Sequence, residues 1–340
     1  MTAEFPSDRP GDTDVLGEPY TVETIPLRPD VEGAVECNLV RLGAGSPTRR
    51  AVLYVHGFCD YFFQKEFAQW WADRGYDFYA VDLRKYGRSL REHQTPAYVG
   101  EIDEYFEDLD EVWSRIVERD GHDEVLLAAH STGGLVSSLW VDGRRKTRPG
   151  LPALRGMLLN SPWLDMQGPF WIRNVGTVAI RSIGRSRPMR EIPRVINDFY
   201  GQSIHASHLG EWDFDLTWKP MESFPIYFGW LRAIRRAHFR VHRGIDVGVP
   251  VLVLSSGGTR FPKQMSEEVH GFDIVLDVEQ IRRWAPQLGR HVTIASLDGA
   301  LHDVILSRRA VRDRAYDEID RWMTGYVETA RQPAALAEER

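Results

Sequence analysis

The chain has few cysteines, and their number and spacing exclude two classes of protein. Only two, Cys37 and Cys59, occur among 340 residues, so neither a disulfide framework nor a CxxC metal motif is present. We interpret both as small packing residues, although the position of Cys59 beside candidate site residues also allows a reactive thiol. A low cysteine count suits a reducing compartment, and we therefore predict a cytoplasmic protein.

Long apolar runs and an excess of basic charge are also missing. No stretch of about 18 uninterrupted apolar residues occurs, which excludes a predicted transmembrane segment. Residues 1–19 are rich in Pro, Gly and Asp and lack the pattern of a secretory signal, so we predict a flexible N-terminal leader. The net charge of −7 provides no large basic surface, and we predict no nucleic-acid partner.

What the sequence does contain is an alternation of strand and helix patterns. Apolar or β-rich runs bounded by turn residues predict strands at 20–25, 35–42, 50–55, 77–81, 124–129, 156–160, 249–254 and 291–296. Spaced apolar positions predict helices at 64–74, 102–119, 135–144, 278–288 and 309–329. The alternation predicts an α/β fold, with a mostly parallel sheet flanked by helices and right-handed crossovers.

Residues 161–248 interrupt this alternation and carry five of the 11 tryptophans. We predict that they form an inserted, mainly helical cap over the carboxyl edge of the sheet, where open parallel sheets bind their ligands. The aromatic residues of this segment either contact an apolar substrate or form the core of the cap. The α/β core then consists of residues 20–160 and 249–329, and residues 330–340 form a C-terminal tail.

A candidate nucleophile lies between a predicted strand and a predicted helix. The sequence Ala-His-Ser-Thr-Gly at 129–133 resembles the G-x-S-x-G nucleophile elbow, with Ala129 in place of the first glycine. In that motif a sharp turn lifts the serine hydroxyl clear of the sheet, and small flanking residues allow the backbone to pack closely. We predict that Ser131 is the nucleophile.

A serine hydroxyl needs a base within hydrogen-bond reach, because its alkoxide is inaccessible at neutral pH. His302 follows the last predicted strand, in a loop that contains Gly299, and comes after Ser131 in chain order as this motif requires. We predict that it is the general base. A third member, a carboxylate, should orient the imidazole. Asp273 is the favoured candidate, and Asp277 is the alternative unless it caps the following helix.

Binding of the oxyanion requires two further donors, which we expect to be main-chain N–H groups. One belongs to Thr132, directly after the nucleophile, and the other to Phe58, in the loop after the third strand. Gly57 permits the close turn of that loop. We also predict that Phe58, Cys59 and Trp163 contact the substrate.

Four segments together resemble the lysophospholipase and monoacylglycerol lipase-like branch of the α/β-hydrolases, of serine aminopeptidase S33 type. They are residues 54–58, 81–89, 129–133 and 301–303, and the resemblance covers about residues 20–329. It implies an eight-stranded sheet, a cap between Asn160 and Val249, and carboxylic-ester hydrolysis without a metal or organic cofactor. It also implies that Ser131, an aspartate and His302 form a triad, and that Asp82 and Arg84 form a structural turn.

The resemblance places the acid a few residues after its strand. Asp273 lies 273 − 254 = 19 residues beyond Leu254, so an inserted segment is implied before it. The favoured activity is cleavage of a small ester with an apolar acyl group, through an acyl-enzyme on Ser131. The alternatives are an acyltransferase or a peptidase that uses the same residues, or a binding protein that retains the fold.

Overall fold

The computed structural model describes residues 11–147, 151–167, 170–193 and 197–328. Within these residues one sheet contains nine strands in the order β1-β2-β3-β5-β4-β6-β7-β8-β9. The strands are β1 (Asp12–Thr13), β2 (Thr21–Asp30), β3 (Gly33–Leu42), β4 (Arg50–Val55), β5 (Asp77–Asp82), β6 (Glu124–His130), β7 (Leu154–Asn160), β8 (Val251–Ser256) and β9 (Val292–Leu297). All eight predicted strands are therefore present, and the two-residue β1 is a ninth.

The described residues also contain eight α-helices. They are α1 (Lys65–Ala72), α2 (Tyr105–Ser114), α3 (Thr132–Thr147), α4 (Phe170–Ser186), α5 (Phe199–Ile204), α6 (Phe228–His242), α7 (Val278–Trp284) and α8 (Arg309–Trp322). None of the helices in the described ranges is long and apolar enough to cross a membrane.

The sheet is mostly parallel and is covered on both faces. Strands β5, β4, β6, β7, β8 and β9 pair in parallel, whereas β1, β2 and β3 form an antiparallel edge. Every residue of β5 and β8 is buried, as expected for strands that helices cover on both faces of the sheet. Helices α2 and α3 contribute to the apolar cluster on one face, and α1 and α8 to the cluster on the other. The predicted three-layer α/β architecture is confirmed.

The N-terminal edge corrects the predicted leader. Asp12 and Thr13 pair with β2, and the buried carboxylate of Asp14 forms an ion pair of 2.6 Å with the buried guanidinium of Arg88. A buried arginine needs such a partner, since an unpaired charge in the interior is costly. The boundary predicted at residue 19 is therefore too far along the chain. Residues 1–10 and the predicted tail at 330–340 lie outside the described residues.

Between β7 and β8 the chain leaves the sheet and forms α4, α5 and α6, joined by loops and turns. Helix α6 lies against both α3 and α4, and its apolar side belongs to the same buried cluster as α2 and α3. The regular secondary structure of this insertion is thus helical. Its loops reach the carboxyl edge of the sheet, where the predicted site residues lie.

Candidate active site

The turn between β6 and α3 holds Ser131 in a conformation that few residues other than glycine adopt. Its φ of 51° lies in the left-handed region, and its N–H donates to the carbonyl oxygen of Asn160 at 2.9 Å. A Cβ atom on Gly133 would lie 2.3 Å from the carbonyl oxygen of His56, so the backbones approach too closely for a larger residue. Ala129 is accommodated in β6, where it is buried. The local geometry is that of a nucleophile elbow.

Three predicted residues from different parts of the chain lie within hydrogen-bond distance of each other. His302 Nε2 lies 3.1 Å from Ser131 Oγ, and His302 Nδ1 lies 2.9 Å from Asp273 Oδ2. All three side chains are buried. Because Nδ1 donates to the carboxylate, Nε2 is the nitrogen that is free to accept a proton from the serine hydroxyl.

The two candidate acids occupy different positions. Asp273 Oδ1 accepts from the N–H groups of Val275 and Leu276 at 2.8 and 2.7 Å, which fixes the carboxylate so that Oδ2 faces the imidazole of His302. Asp277 instead caps α7, with its carboxylate accepting from the N–H of Glu279 at 3.0 Å. The structure therefore brings Asp273, and not Asp277, to His302.

The segment before Asp273 explains its distance from the strand in sequence. Asp273 forms a β-bridge with Thr259, and its N–H donates to the carbonyl oxygen of Gly258 at 3.0 Å. Residues 260–272 thus leave the end of β8 and return to it, so that Asp273 lies beside a residue only 259 − 256 = 3 positions beyond the strand. The insertion that the resemblance implies is this loop. Because the loop returns to the end of β8, Asp273 lies close to that strand end in space.

The two predicted oxyanion donors lie on either side of Ser131. Thr132 is the first residue of α3, and the first N–H groups of a helix have no partner within it. Phe58 lies in the turn that follows β4, and a Cβ atom on the preceding Gly57 would lie 3.1 Å from Ser131 Cβ. The glycine therefore allows the loop to pass close to Ser131. Both residues line the same cavity as Ser131 and His302.

That cavity has a volume of about 350 Å³, and the insertion forms much of its wall. The predicted substrate contacts Phe58, Cys59 and Trp163 line it, and the rings of Phe58 and Trp230 lie 4.4 Å apart. Its other apolar lining residues are Met166, Ile192, Phe214, Pro220, Met221, Ile226, Leu231, Val275 and Leu276. No aspartate or glutamate occurs among the lining residues in the described part of the chain. The site can therefore accept an apolar group beside the serine hydroxyl.

Comparison with known families identifies the chain. The family model described as "Serine aminopeptidase, S33" matches residues 46–308, which is 308 − 46 + 1 = 263 of 340 positions. The protein belongs to this family of α/β-hydrolases. A search of curated proteins by sequence gives no match.

Solved structures share the fold of this S33-family protein at low sequence identity. Monoacylglycerol lipase from Paleococcus ferrophilus superposes with a TM-score of 0.60 at 18% identity, over 84% of this chain and 97% of that one. A soluble variant of monoglyceride lipase from Saccharomyces cerevisiae, in complex with a substrate analogue, gives 0.63 at 13% identity over 94% and 97%. A thermophilic esterase from Thermogutta terrifontis gives 0.56 at 18% identity over 89% and 98%.

A buried network of charges behind Ser131 of this S33-family protein was not predicted. Lys219 Nζ, from the insertion, lies 2.8 Å from Asp60 Oδ1, and His130 Nδ1 lies 3.3 Å from Asp60 Oδ2. Burial alone would raise the pKa of Asp60, but the Lys219 ammonium and His130 hold that pKa well below its usual range. His130 lies in the elbow segment and Asp60 directly follows the predicted oxyanion loop, so the sequence could have indicated these two residues. Lys219 lies in no recognisable motif.

Asp303 extends this network to the loop of His302. Its Oδ1 accepts from Asn160 Nδ2 at 2.6 Å, and its Oδ2 lies 3.9 Å from His130 Nδ1. Burial lowers the pKa of His130, but Asp303 and Asp60 outweigh this and raise it above its ordinary value. Ligand atoms of Asp60, His130 and Asp303 lie within 4.8 Å of one another and form the candidate cation site of the described residues. Lys219 already provides a positive charge beside Asp60 in this cluster.

The turn predicted to be structural has that role. The Asp82 carboxylate accepts from the N–H of Phe62 at 2.9 Å and binds Nη1 of Arg88 at 2.8 Å. Arg84 forms an ion pair of 2.6 Å with the buried Asp108 of α2. Neither residue lines the cavity beside Ser131.

Proposed function

We propose that the protein is a serine hydrolase that cleaves carboxylic esters with an apolar acyl group, through an acyl-enzyme on Ser131. The observation that supports this most is the chain of contacts from Asp273 through His302 to Ser131, at the base of an apolar cavity. The insertion acts as a cap, because its side chains, including Trp163 and Trp230, form the wall that an acyl chain would contact.

The mechanism follows from the positions of these atoms. Ser131 Oγ attacks the ester carbonyl while His302 Nε2 removes its proton, and Asp273 stabilises the imidazolium that forms. The N–H groups of Phe58 and Thr132 bind the oxyanion, a contribution of about 3–4 kcal/mol for each donor. His302 then protonates the departing alcohol, and a water molecule activated by the same nitrogen hydrolyses the acyl-enzyme.

The absence of carboxylates from the described cavity wall argues against an aminopeptidase, although the family model carries that name. Recognition of a free N-terminal ammonium group calls for an opposing negative charge in the substrate site. Apolar side chains dominate this wall instead. We therefore favour ester cleavage over peptide cleavage. Acyl transfer is a separate alternative, and adding an alcohol as acceptor would distinguish it from hydrolysis, because only a transferase would acylate that alcohol efficiently.

Covalent labelling tests the proposal. Purified protein is incubated with a small fluorophosphonate, and the modified residue is located by peptide mass spectrometry. We expect label on Ser131, loss of labelling and of ester hydrolysis in Ser131→Ala and His302→Ala, and strongly slowed labelling in Asp273→Asn. Asp277→Asn is the matched control and should label at the wild-type rate, because Asp277 contacts α7 and not His302. A folded wild-type protein that neither labels nor hydrolyses esters contradicts the proposal.

The substrate preference has its own test. Across p-nitrophenyl esters from acetate to decanoate, kcat/KM should rise by up to about fourfold per methylene until the cavity is filled, since a buried methylene contributes about 0.8 kcal/mol. Trp163→Ala should reduce kcat/KM for the long esters much more than for acetate. An equal loss for all esters would show that Trp163 does not contact the acyl chain.

A further inference from the structure

Lys219 is an unusual residue for the wall of an apolar cavity. Its side chain is only 9% exposed and forms an ion pair with Asp60, whose side chain is 2% exposed. The aromatic rings of Phe63, Tyr200 and Phe214 surround the ammonium group, with centroids 5.8–5.9 Å from Nζ. A buried ammonium costs free energy unless it is paired, so its position is determined by Asp60.

Asp60 connects this ion pair to both loops that approach the nucleophile. It follows Phe58 and Cys59 in the oxyanion loop, and its Oδ2 lies 3.5 Å from the N–H of Gly57. The same oxygen lies 3.3 Å from Nδ1 of His130, the residue directly before Ser131. One carboxylate therefore binds the insertion through Oδ1 and the two loops through Oδ2.

His130 completes the connection to the proposed base. Its ring lies 4.8 Å from the ring of His302, and Asp303 links the same imidazole to the loop of His302. A displacement of Asp60 would therefore also displace the oxyanion loop, the elbow and the imidazole of His302.

We propose that Lys219 is a positioning residue for the proposed ester hydrolysis: its ion pair with Asp60 holds the oxyanion loop and His130 in register with Ser131. The inference rests on the proposed function. The insertion is then part of the catalytic assembly as well as a cover for the cavity. Misplacement of catalytic groups by about 1 Å can cost about 100-fold in rate, so one buried ion pair is enough to matter.

The charges make a specific prediction for the pH profile. The titratable groups that face His302 are Ser131, Asp273, His130 and Asp303, with Tyr200 packed against its ring. Lys219 and Asp60 lie one contact beyond His130. Loss of the Lys219 charge leaves net negative charge near His302 and stabilises its protonated form, whereas loss of the Asp60 charge does the opposite. A purely structural defect would not move the acidic limb of the pH–rate profile in opposite directions in the two variants.

The test compares Lys219→Met, Asp60→Asn and the double variant with wild-type enzyme, using p-nitrophenyl acetate, whose short acyl group makes little contact with the insertion. We expect Lys219→Met to lower kcat by about 20-fold or more with KM within about threefold. The acidic limb of its kcat/KM profile should move to higher pH, and that of Asp60→Asn to lower pH. The double variant, which has no uncompensated buried charge, should lose less activity than the product of the two single losses.

Arg236→Met provides the matched control, because Arg236 also joins the insertion to the core, through an exposed ion pair with Glu101. It should leave kcat and the pH profile unchanged. Circular dichroism tests whether each variant is folded. If a single variant is not folded, the comparison of the double variant with wild type decides whether the inference holds. The inference is overturned if the wild type is active and Lys219→Met has the same kcat and pH profile. It is also overturned if the acidic limbs of Lys219→Met and Asp60→Asn move in the same direction. A wild type without esterase activity or fluorophosphonate labelling contradicts the proposed function instead.

Discussion

The sheet and the insertion between β7 and β8 are stabilised in different ways. Strands β4, β5, β6 and β8 are almost entirely buried, and parallel ladders of main-chain hydrogen bonds join them to their neighbours. The described part of the insertion has three α-helices. It packs on the core through α6 and also through Ile204 and Phe214, which belong to a separate apolar cluster with core residues. The sheet is thus stabilised by main-chain ladders and apolar burial, whereas the insertion is held on the core by side-chain contacts.

The contacts that hold the insertion on the core include polar side chains on one face of α6. Arg235 forms a buried ion pair of 2.6 Å with Asp165, and His238 Nε2 donates to the carbonyl oxygen of Trp163 at 3.0 Å. His242 Nε2 likewise lies 2.8 Å from the carbonyl oxygen of Leu164. Residues 163–165 follow the end of β7, and the N–H of Trp163 donates to the carbonyl oxygen of Ser131 at 3.0 Å. Polar contacts of α6 therefore fix a segment that touches the nucleophile.

The largest effect should come from breaking the Arg235 ion pair. Arg235→Met removes one member of the buried ion pair with Asp165, a change that typically costs about 3–5 kcal/mol. If the insertion unfolds locally, limited proteolysis will cleave it much faster while the urea midpoint of the sheet changes little. The surface variant Arg236→Met should match wild type in both measurements. Equal protease resistance of Arg235→Met and wild type would show that the polar contacts do not hold the insertion.

A change at the turn between β6 and α3 should instead lower global stability. The Cβ atom in Gly133→Ala would lie 2.3 Å from a main-chain oxygen of His56, so backbone must move at the elbow. We expect a loss of about 2–3 kcal/mol in the free energy of unfolding by urea, together with slower fluorophosphonate labelling at Ser131. Unchanged labelling would mean that the elbow tolerates the methyl group without displacing the nucleophile.

Acid pH should weaken the insertion through His238. Burial, and then the Arg235 guanidinium, lower the pKa of His238 to about 3, although the hydrogen bond to the carbonyl oxygen of Trp163 acts in the opposite direction. The folded state then binds fewer protons than the unfolded state, in which the pKa is about 6.5, so stability falls as the pH falls below that value. Between pH 7 and pH 5 we expect a loss of about 2 kcal/mol from this group.

Urea unfolding combined with protease susceptibility at the two pH values measures this loss. The neutral variant His238→Gln should show a correspondingly smaller pH dependence than wild type, which separates His238 from all other titrating groups. The same slope in both proteins would mean that another group causes the acid effect.

The contrast between the two regions also explains how much the sequence could predict. Continuous apolar runs such as 51–55 and 251–254 indicate buried parallel strands by themselves. The strands, and the placement of Ser131 and His302 after two of them, could therefore be predicted from local patterns. Asp273 required one long-range fact, the pairing of Thr259 with Asp273 across a loop. No local pattern encodes that pairing.

Other features depended entirely on tertiary contacts. Asp14 was assigned to a flexible leader because an acidic, proline-rich segment resembles one, and only Arg88 reveals its place in the fold. Lys219 carries no motif, and it forms its buried ion pair with Asp60, which is 159 residues away in the chain. Buried charge pairs of this kind join residues that sequence periodicity does not relate.

The smallest predicted effect tests whether the sheet and the insertion unfold together. A Cβ atom on Gly176 in α4 would meet nothing within 4 Å, so Gly176→Ala should stabilise the helix by about 0.5–1 kcal/mol through the unfolded state. If the insertion unfolds independently, this gain will appear as slower proteolysis within the insertion and not in the urea midpoint of the sheet. If the midpoint rises as well, the insertion and sheet form one cooperative unit. The contacts of α6 with α3 would then couple the two regions despite their different means of stabilisation.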